Sequence, residues 1–208
     1  MLIAFMRHGQ TEWNVRHLLQ GANRDIDLTD EGVRQVEAAA DGLVRGGWRF
    51  DCVYTSPYRR AVHSAEVVCS RLGGVPVVDD RVREIGFGVY EGTPYLNGAY
   101  ADDNIRAAFE NPSKYVPRGG ESYDEVLARV RDFLEHELKP LEGTCERVLV
   151  VAHGGLLRAV VTTVTGAALD GYWRGHQPNC CVHLVEFADG RFALRARNVD
   201  PKEGGPMP

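Results

Sequence analysis

No apolar run in this chain approaches the roughly 20 residues that a helix needs to span a bilayer. The short apolar stretch at the start lacks the basic leader of a signal peptide. A cytoplasmic location and no membrane partner are the default expectation. Positive charge is not in surplus: the formal net charge of −5 gives no whole-chain signal for nucleic acid, though it says nothing of local clusters. The cysteines, Cys52, Cys69, Cys145, Cys180 and Cys181, are odd in number and lie in or near apolar segments. Buried thiols are therefore expected rather than a disulfide framework. There is no C-x-x-C and no H-E-x-x-H, so no dedicated metal site is expected. A dinucleotide fingerprint is missing too. Gly92 falls one place late to complete G-x-G-x-x-G after Gly86 and Gly88. No internal repeat or linker divides the chain.

What is present describes an ordinary globular chain of 208 residues, 44% hydrophobic and 25% charged. One domain over residues 1–208 is expected. The apolar runs at Leu2–Met6, Cys52–Thr55, Val75–Val78 and Arg147–Ala152 read as strands. Helical patterns stand between them. Thr29 caps one that closes at Gly46-Gly47, Ser56-Pro57 starts a second that closes at Gly73-Gly74, and Ser122 with Glu125 forms a capping box for a third. Leu156–Thr165 reads as a fourth. Residues 86–120 form an irregular, lid-like excursion rich in Gly and Pro, with one short helix over Asp103–Glu110. Its Tyr95, Tyr100 and Tyr115 read as packing residues. Cys181–Phe187 and Phe192–Arg197, joined at Asp189-Gly190, read as a hairpin, and residues 202–208 as a frayed end. The fold class expected is α/β: a three-layer sandwich, its central sheet mostly parallel, helices on both faces, one antiparallel strand near the C-terminus.

Two of these strands end alike, in Arg7-His8-Gly9 and in His153-Gly154-Gly155. Open α/β sheets bind ligands beyond the carboxyl ends of their strands. The repetition suggests one site built from both halves of the chain. Arg7, Arg59 and Arg60 also lie near strand ends or a helix start, and guanidinium forks match phosphate oxygens. A phosphate site with two imidazoles follows, in which a neutral imidazole can act as nucleophile. Neighbouring arginines favour the neutral form. A leaving alkoxide needs a proton, and Glu84 leads the candidates, with Glu12, Glu91 and Glu121 as rivals.

These residues resemble the histidine phosphatase superfamily, the phosphoglycerate-mutase-like proteins. Arg7-His8-Gly9-Gln10-Thr11-Glu12-Trp13-Asn14 looks like its signature. The segment Ser56–Ala65 resembles its second motif and aligns the phosphate-binding arginine with Arg60, leaving Arg59 solvated. Arg83-Glu84 through Gly92 is similar to the segment bearing the proton donor, and Val151–Gly155 to the last core motif. Gly119–Ser122 and Asn179–Val182 are weaker landmarks. Gln10 and Ser64 depart from the more frequent Glu and Thr. The resemblance implies phosphorylation of His8, with Arg7, Arg60 and His153 holding the phosphoryl oxygens and Glu84 as general acid and base. Asn14, Gln20, Gly21 and Gly154 complete the expected substrate-binding set. It implies a phosphomonoesterase for small phosphorylated metabolites, with neither metal nor cofactor. A phosphoglycerate mutase and a non-catalytic phosphate-binding regulator are the alternatives. The oligomeric state is open, a homodimer being one option.

Overall fold

The computed structural model describes residues 1–95 and 99–205. Gly98, one of the glycines of the 86–120 excursion, lies outside the described residues, as do residues 206–208. Six strands form one sheet: β1 (Leu2–Arg7), β2 (Cys52–Thr55), β3 (Val77–Val78), β4 (Arg147–Ala152), β5 (Val182–Ala188) and β6 (Arg191–Val199), in the order β3-β2-β4-β1-β5-β6. β1, β2, β3 and β4 pair in parallel, while β5 runs antiparallel to both β1 and β6. The helices are α1 (Glu12–Val15), α2 (Asp30–Arg45), α3 (Arg59–Leu72), α4 (Asp103–Glu110), α5 (Tyr123–Phe133) and α6 (Gly154–Thr165). None among the described residues is long and apolar enough to cross a membrane.

Alternation along the central strands divides the core in two. Ala4 and Met6 of β1, with Leu149 and Val151 of β4, pack against Val36 and Leu43 of α2 and Ala61, Ala65 and Val68 of α3. Ile3 and Phe5, with Val148 and Val150, face Val126, Val130 and Phe133 of α5 and Leu156, Leu157 and Val160 of α6. Residues of opposite parity point to opposite faces, so a strand buried on both sides is apolar throughout. That is why β1 and β4 read as unbroken apolar runs.

The local signals for helices and turns mostly hold. Thr29 Oγ1 accepts the Gly32 amide at the start of α2, and the Ser122–Glu125 capping box opens α5. Asp189 and Gly190 both take positive φ, 52° and 71°, as a tight hairpin turn of this hand requires. Four expectations change. α3 begins at Arg59, with Tyr58 at its N-cap and no side-chain cap, so Ser56 does not cap it. β3 covers only Val77–Val78, because it is an edge strand that pairs with β2 alone. Cys52 and Cys145 are disulfide-paired, while Cys69, Cys180 and Cys181 are buried thiols. Neighbouring parallel strands β2 and β4 bring those two cysteines together across 93 positions of sequence. Residues 202–205, expected to fray, dock on the end of α2: Arg45 donates to the Lys202 carbonyl and Trp48 Nε1 to that of Gly205.

The excursion is closed at its base. Glu121 N–H donates to the Gly86 carbonyl and Val89 N–H to that of Arg118. Beyond it, Phe109 of α4 stacks on Phe87, Tyr95 and Tyr100 with ring centroids 5.6–5.8 Å apart. The excursion thus carries its own aromatic core.

Candidate active site

β1 and β4 are neighbours in register, Arg7 lying opposite Ala152. The chain leaves both strands at the same edge, and the His8 amide donates to the Ala152 carbonyl at 3.0 Å. His8 and His153 therefore emerge side by side, ring centroids 5.2 Å apart and planes tilted by 60°. Both are buried. At this point the topology also reverses: from β1 the chain crosses to β2, and from β4 it crosses to β5 on the far side of β1. This is the crevice where doubly wound sheets take ligands.

The His8 ring is held in one tautomer. Its Nδ1 lies 2.7 Å from the Gly9 carbonyl, which can only accept, so Nδ1 carries the proton and Nε2 keeps its lone pair. Burial, then the charges of Arg60 and Arg7, hold this imidazole well below the ordinary histidine value. A neutral ring with a free Nε2 is a nucleophile. The turn beneath it is fixed by the Gly9 amide, which donates to Ser64 Oγ, while Ser64 donates to the Arg60 carbonyl. The Ser in place of Thr at position 64 thus ties the first motif to the second.

His153 Nε2 sits 2.7 Å from Ser56 Oγ, and that hydroxyl also accepts the Tyr58 amide. A hydroxyl that accepts the amide can donate to Nε2, and Nδ1 then bears the ring proton. His153 too is held well below the ordinary value, by burial first and then Arg60.

Arg60 is fully buried. Its two terminal nitrogens donate to the carbonyls of Asn23 and Gly21, at 2.7 and 2.9 Å. Burial lowers its guanidinium to about 10, against the raising effect of the Glu84 carboxylate. Arg59, one residue away, is exposed and paired with Asp27. Arg7 donates to the Gln177 carbonyl. Among the described residues five buried side-chain polar atoms make no hydrogen bond, and three of them are Arg7 Nε, Arg60 Nε and His153 Nδ1. Buried donors are costly unless partnered. Their gathering around His8 marks a cradle for an anion.

Glu84 completes the group. Its Oε1 accepts the amides of Ile85 and Leu156, and its Oε2 that of Gly155, all at 2.9–3.0 Å. The carboxyl thus grips the N-terminus of α6, the helix that follows His153. Two of the rivals are held by other groups and the third faces solvent. Glu121 is locked by Arg83 and Arg129, Glu91 accepts the amides of Ala22 and Phe87, and Glu12 is exposed.

The remaining expected residues take supporting places. The Gly21 carbonyl holds Arg60, and at φ 48° a Cβ there would lie 2.3 Å from the Glu91 carboxylate. Gln20 accepts from Thr11 Oγ1, and Asn14 Oδ1 accepts from Thr11 and from Asn179 Nδ2. Asn179 also donates to the His8 carbonyl. Gly154 opens α6, where a Cβ would stand 3.5 Å from Arg7 Nε. Sequence reasoning missed Ser56 as the partner of His153 and Gln177 as that of Arg7. Neither has a local signal, since each acts across more than ninety residues of chain.

The pattern of the histidine phosphatase superfamily (branch 1) matches residues 3–200, nearly the whole chain. The chain belongs to the histidine phosphatase superfamily. Among relatives of this histidine phosphatase, a Hydrogenobacter thermophilus protein named as a phosphoserine phosphatase is 37% identical over 190 residues, covering 91% of each chain. A 2,3-bisphosphoglycerate-dependent phosphoglycerate mutase of Methylobacterium sp. is 36% identical over 176 residues, 79% of this chain and 81% of that one. Of solved structures, Bacillus stearothermophilus YhfR superimposes with a TM-score of 0.86 at 28% identity, over 97% of this chain and 99% of that one. The α/β sandwich expected from the strand and helix pattern is the one observed.

Proposed function

We propose that this histidine phosphatase is a phosphomonoesterase that hydrolyses small phosphorylated metabolites through a phosphohistidine on His8. The observation that carries this reading is the free Nε2 of a neutral, buried imidazole among three unpartnered donors. In the first step Nε2 attacks phosphorus and the ester P–O bond breaks, its electron pair passing to the leaving oxygen. Arg7, Arg60 and His153 Nδ1 hold the phosphoryl oxygens as charge spreads over them. The leaving oxygen takes a proton from Glu84. Of that carboxyl, Oε2 accepts only one amide and has room for the proton. In the second step Glu84 receives a proton from water, which attacks phosphorus and breaks the P–N bond, restoring His8. Arginine and histidine supply all the charge this needs, so the reading calls for no metal. Asn14 and Gln20 line the approach, and Asn14 adds a phosphate contact.

Relatives named for phosphoserine and for phosphoglycerate favour a substrate of that size. The mutase name keeps a second reading alive, in which phosphohistidine returns its phosphoryl group to an acceptor instead of water. Rapid quench of the protein with a radiolabelled phosphomonoester tests both. The expected result is label on His8, discharged to free phosphate, and none in a His8→Ala variant. Label that persists until phosphoglycerate is added, and then leaves as its isomer, would support the mutase. Turnover by His8→Ala would remove the covalent mechanism.

A further inference from the structure

Behind the phosphate cradle lies a second cavity, of about 260 Å³, outside the mechanism above. It is walled by α6, by the segment 167–177, and by β5 and β6. Arg158, Arg174, Arg197, His176 and His183 line it, and among the described residues no carboxylate does. In a chain of net charge −5 such a lining is unlike the average surface. Several surface arginines close on acids, such as Arg195 on Glu186, Arg118 on Asp102 and Arg106 on Asp103, while others, such as Arg16, Arg24 and Arg191, stand apart from one another without an acid among the described residues. The three arginines of the cavity have no such partner among the described residues.

The lining is built, not accidental. Arg158 is fixed by donating to the carbonyls of Tyr172, Arg174 and Gly175, which stations its charge at the wall. His183 is 3% exposed, and its Nδ1 accepts the Asn198 amide, so in the neutral ring the proton lies on Nε2, a donor. The C-terminal end of α6 brings about half a negative charge to one rim. Three guanidiniums outweigh it. The charges come from three separate elements, which suits an anion with more than one charged group, and the volume suits a metabolite rather than a chain. Gln177 belongs to this wall and also accepts from Arg7, so the cavity abuts the cradle without sharing its donors.

We propose that this cavity is a second anion site, binding a small metabolite that carries two or more carboxylate or phosphate groups. Charge-assisted hydrogen bonds from arginine forks recognise either group. Citrate and pyrophosphate are the probes, one for each source. Each is titrated by calorimetry and followed on the His183 imidazole by NMR. Three forms of the protein are compared: the unaltered chain, Arg60→Ala, which damages the cradle, and Arg174→Gln/Arg197→Gln, whose altered side chains are exposed. Circular dichroism verifies that each is folded. The expected result is saturable binding of at least one probe that shifts the His183 signal. Binding should persist in Arg60→Ala and weaken by about tenfold or more in the double variant. Loss in Arg60→Ala alone would place the probe in the cradle and overturn the proposal. So would unweakened binding in the double variant, or no saturation by either probe below about 10 mM.

Discussion

Arg59 and Arg60 are neighbours in sequence with opposite surroundings. Arg59 lies in a surface ion pair, the kind worth about 0.2–1 kcal/mol. Arg60 is buried, braced by two carbonyls and turned towards His8. Arg59→Ala should therefore alter kcat/KM by less than about fivefold. On the proposed mechanism Arg60→Ala removes a charged donor to the phosphoryl oxygens and should cost about 10²–10³-fold. Equal effects in a steady-state assay would show that the register of the second motif is misread. Glu84 makes a different prediction. A sugar or glycerate oxygen leaves poorly without a proton, whereas nitrophenolate leaves readily. Glu84→Gln should slow phosphorylation of His8 by about 10²–10⁴-fold with an alkyl phosphate and far less with an aryl phosphate. Rapid quench isolates that step. Similar losses with both substrates would leave Glu84 only the task of holding the start of α6.

At the scale of elements, the site depends on how closely α2 approaches the loop after β1. A Cβ on Gly32 would lie 2.0 Å from the Gln10 carbonyl oxygen, and one on Gly9 would lie 2.6 Å from that of Gly32. These are backbone atoms that cannot rotate away. Gly32→Ala should push α2 off the turn that carries His8. The expected cost is about 1–3 kcal/mol of stability, as for other overpacked contacts, together with a fall in kcat. Urea unfolding and an aryl phosphate assay measure the two. Unchanged values would mean the helix shifts freely under His8. The same glycine shows the limit of pattern reading. Helix propensity treats it as a weakness in the first turn of α2, since glycine is a poor helix former. Only the packing reveals why it is tolerated.

For the whole molecule, three buried histidines set how stability depends on pH. His8 and His153 are held well below the ordinary value, and burial, then Arg197, pulls His183 down to about 4. The unfolded chain takes up these protons near pH 6.5, while the folded chain does not. Stability from this source is therefore complete above that pH and is lost as the pH falls towards the folded values. Each group contributes up to about 1.4 kcal/mol per unit of pH within its window. Between pH 7.5 and 5.5 urea unfolding should show a loss approaching about 4 kcal/mol, before most carboxylates titrate. A flat profile over that range would show that the imidazoles are charged in the fold. Inorganic phosphate in the cradle should blunt the loss by raising the pKa values of His8 and His153.

Much of this protein was legible in the chain itself. Residues that act through local geometry announce themselves: apolar runs for β1 and β4, Thr29 and Ser122 for helix starts, Asp189-Gly190 for the hairpin. The paired strand-His-Gly endings also foretold one site, because parallel strands deliver their ends to the same edge. Tertiary structure decided the rest. Among four glutamates in similar sequence settings, only Glu84 reaches the amides that open α6 beside His153. Ser56 looks like a helix cap, yet the neighbouring end of β4 turns it towards His153. Cys52 and Cys145 meet only because β2 and β4 are adjacent. Sequence pattern records what each residue requires of its near neighbours, whereas the choice among equivalent side chains is made by contacts that exist only once distant segments have packed.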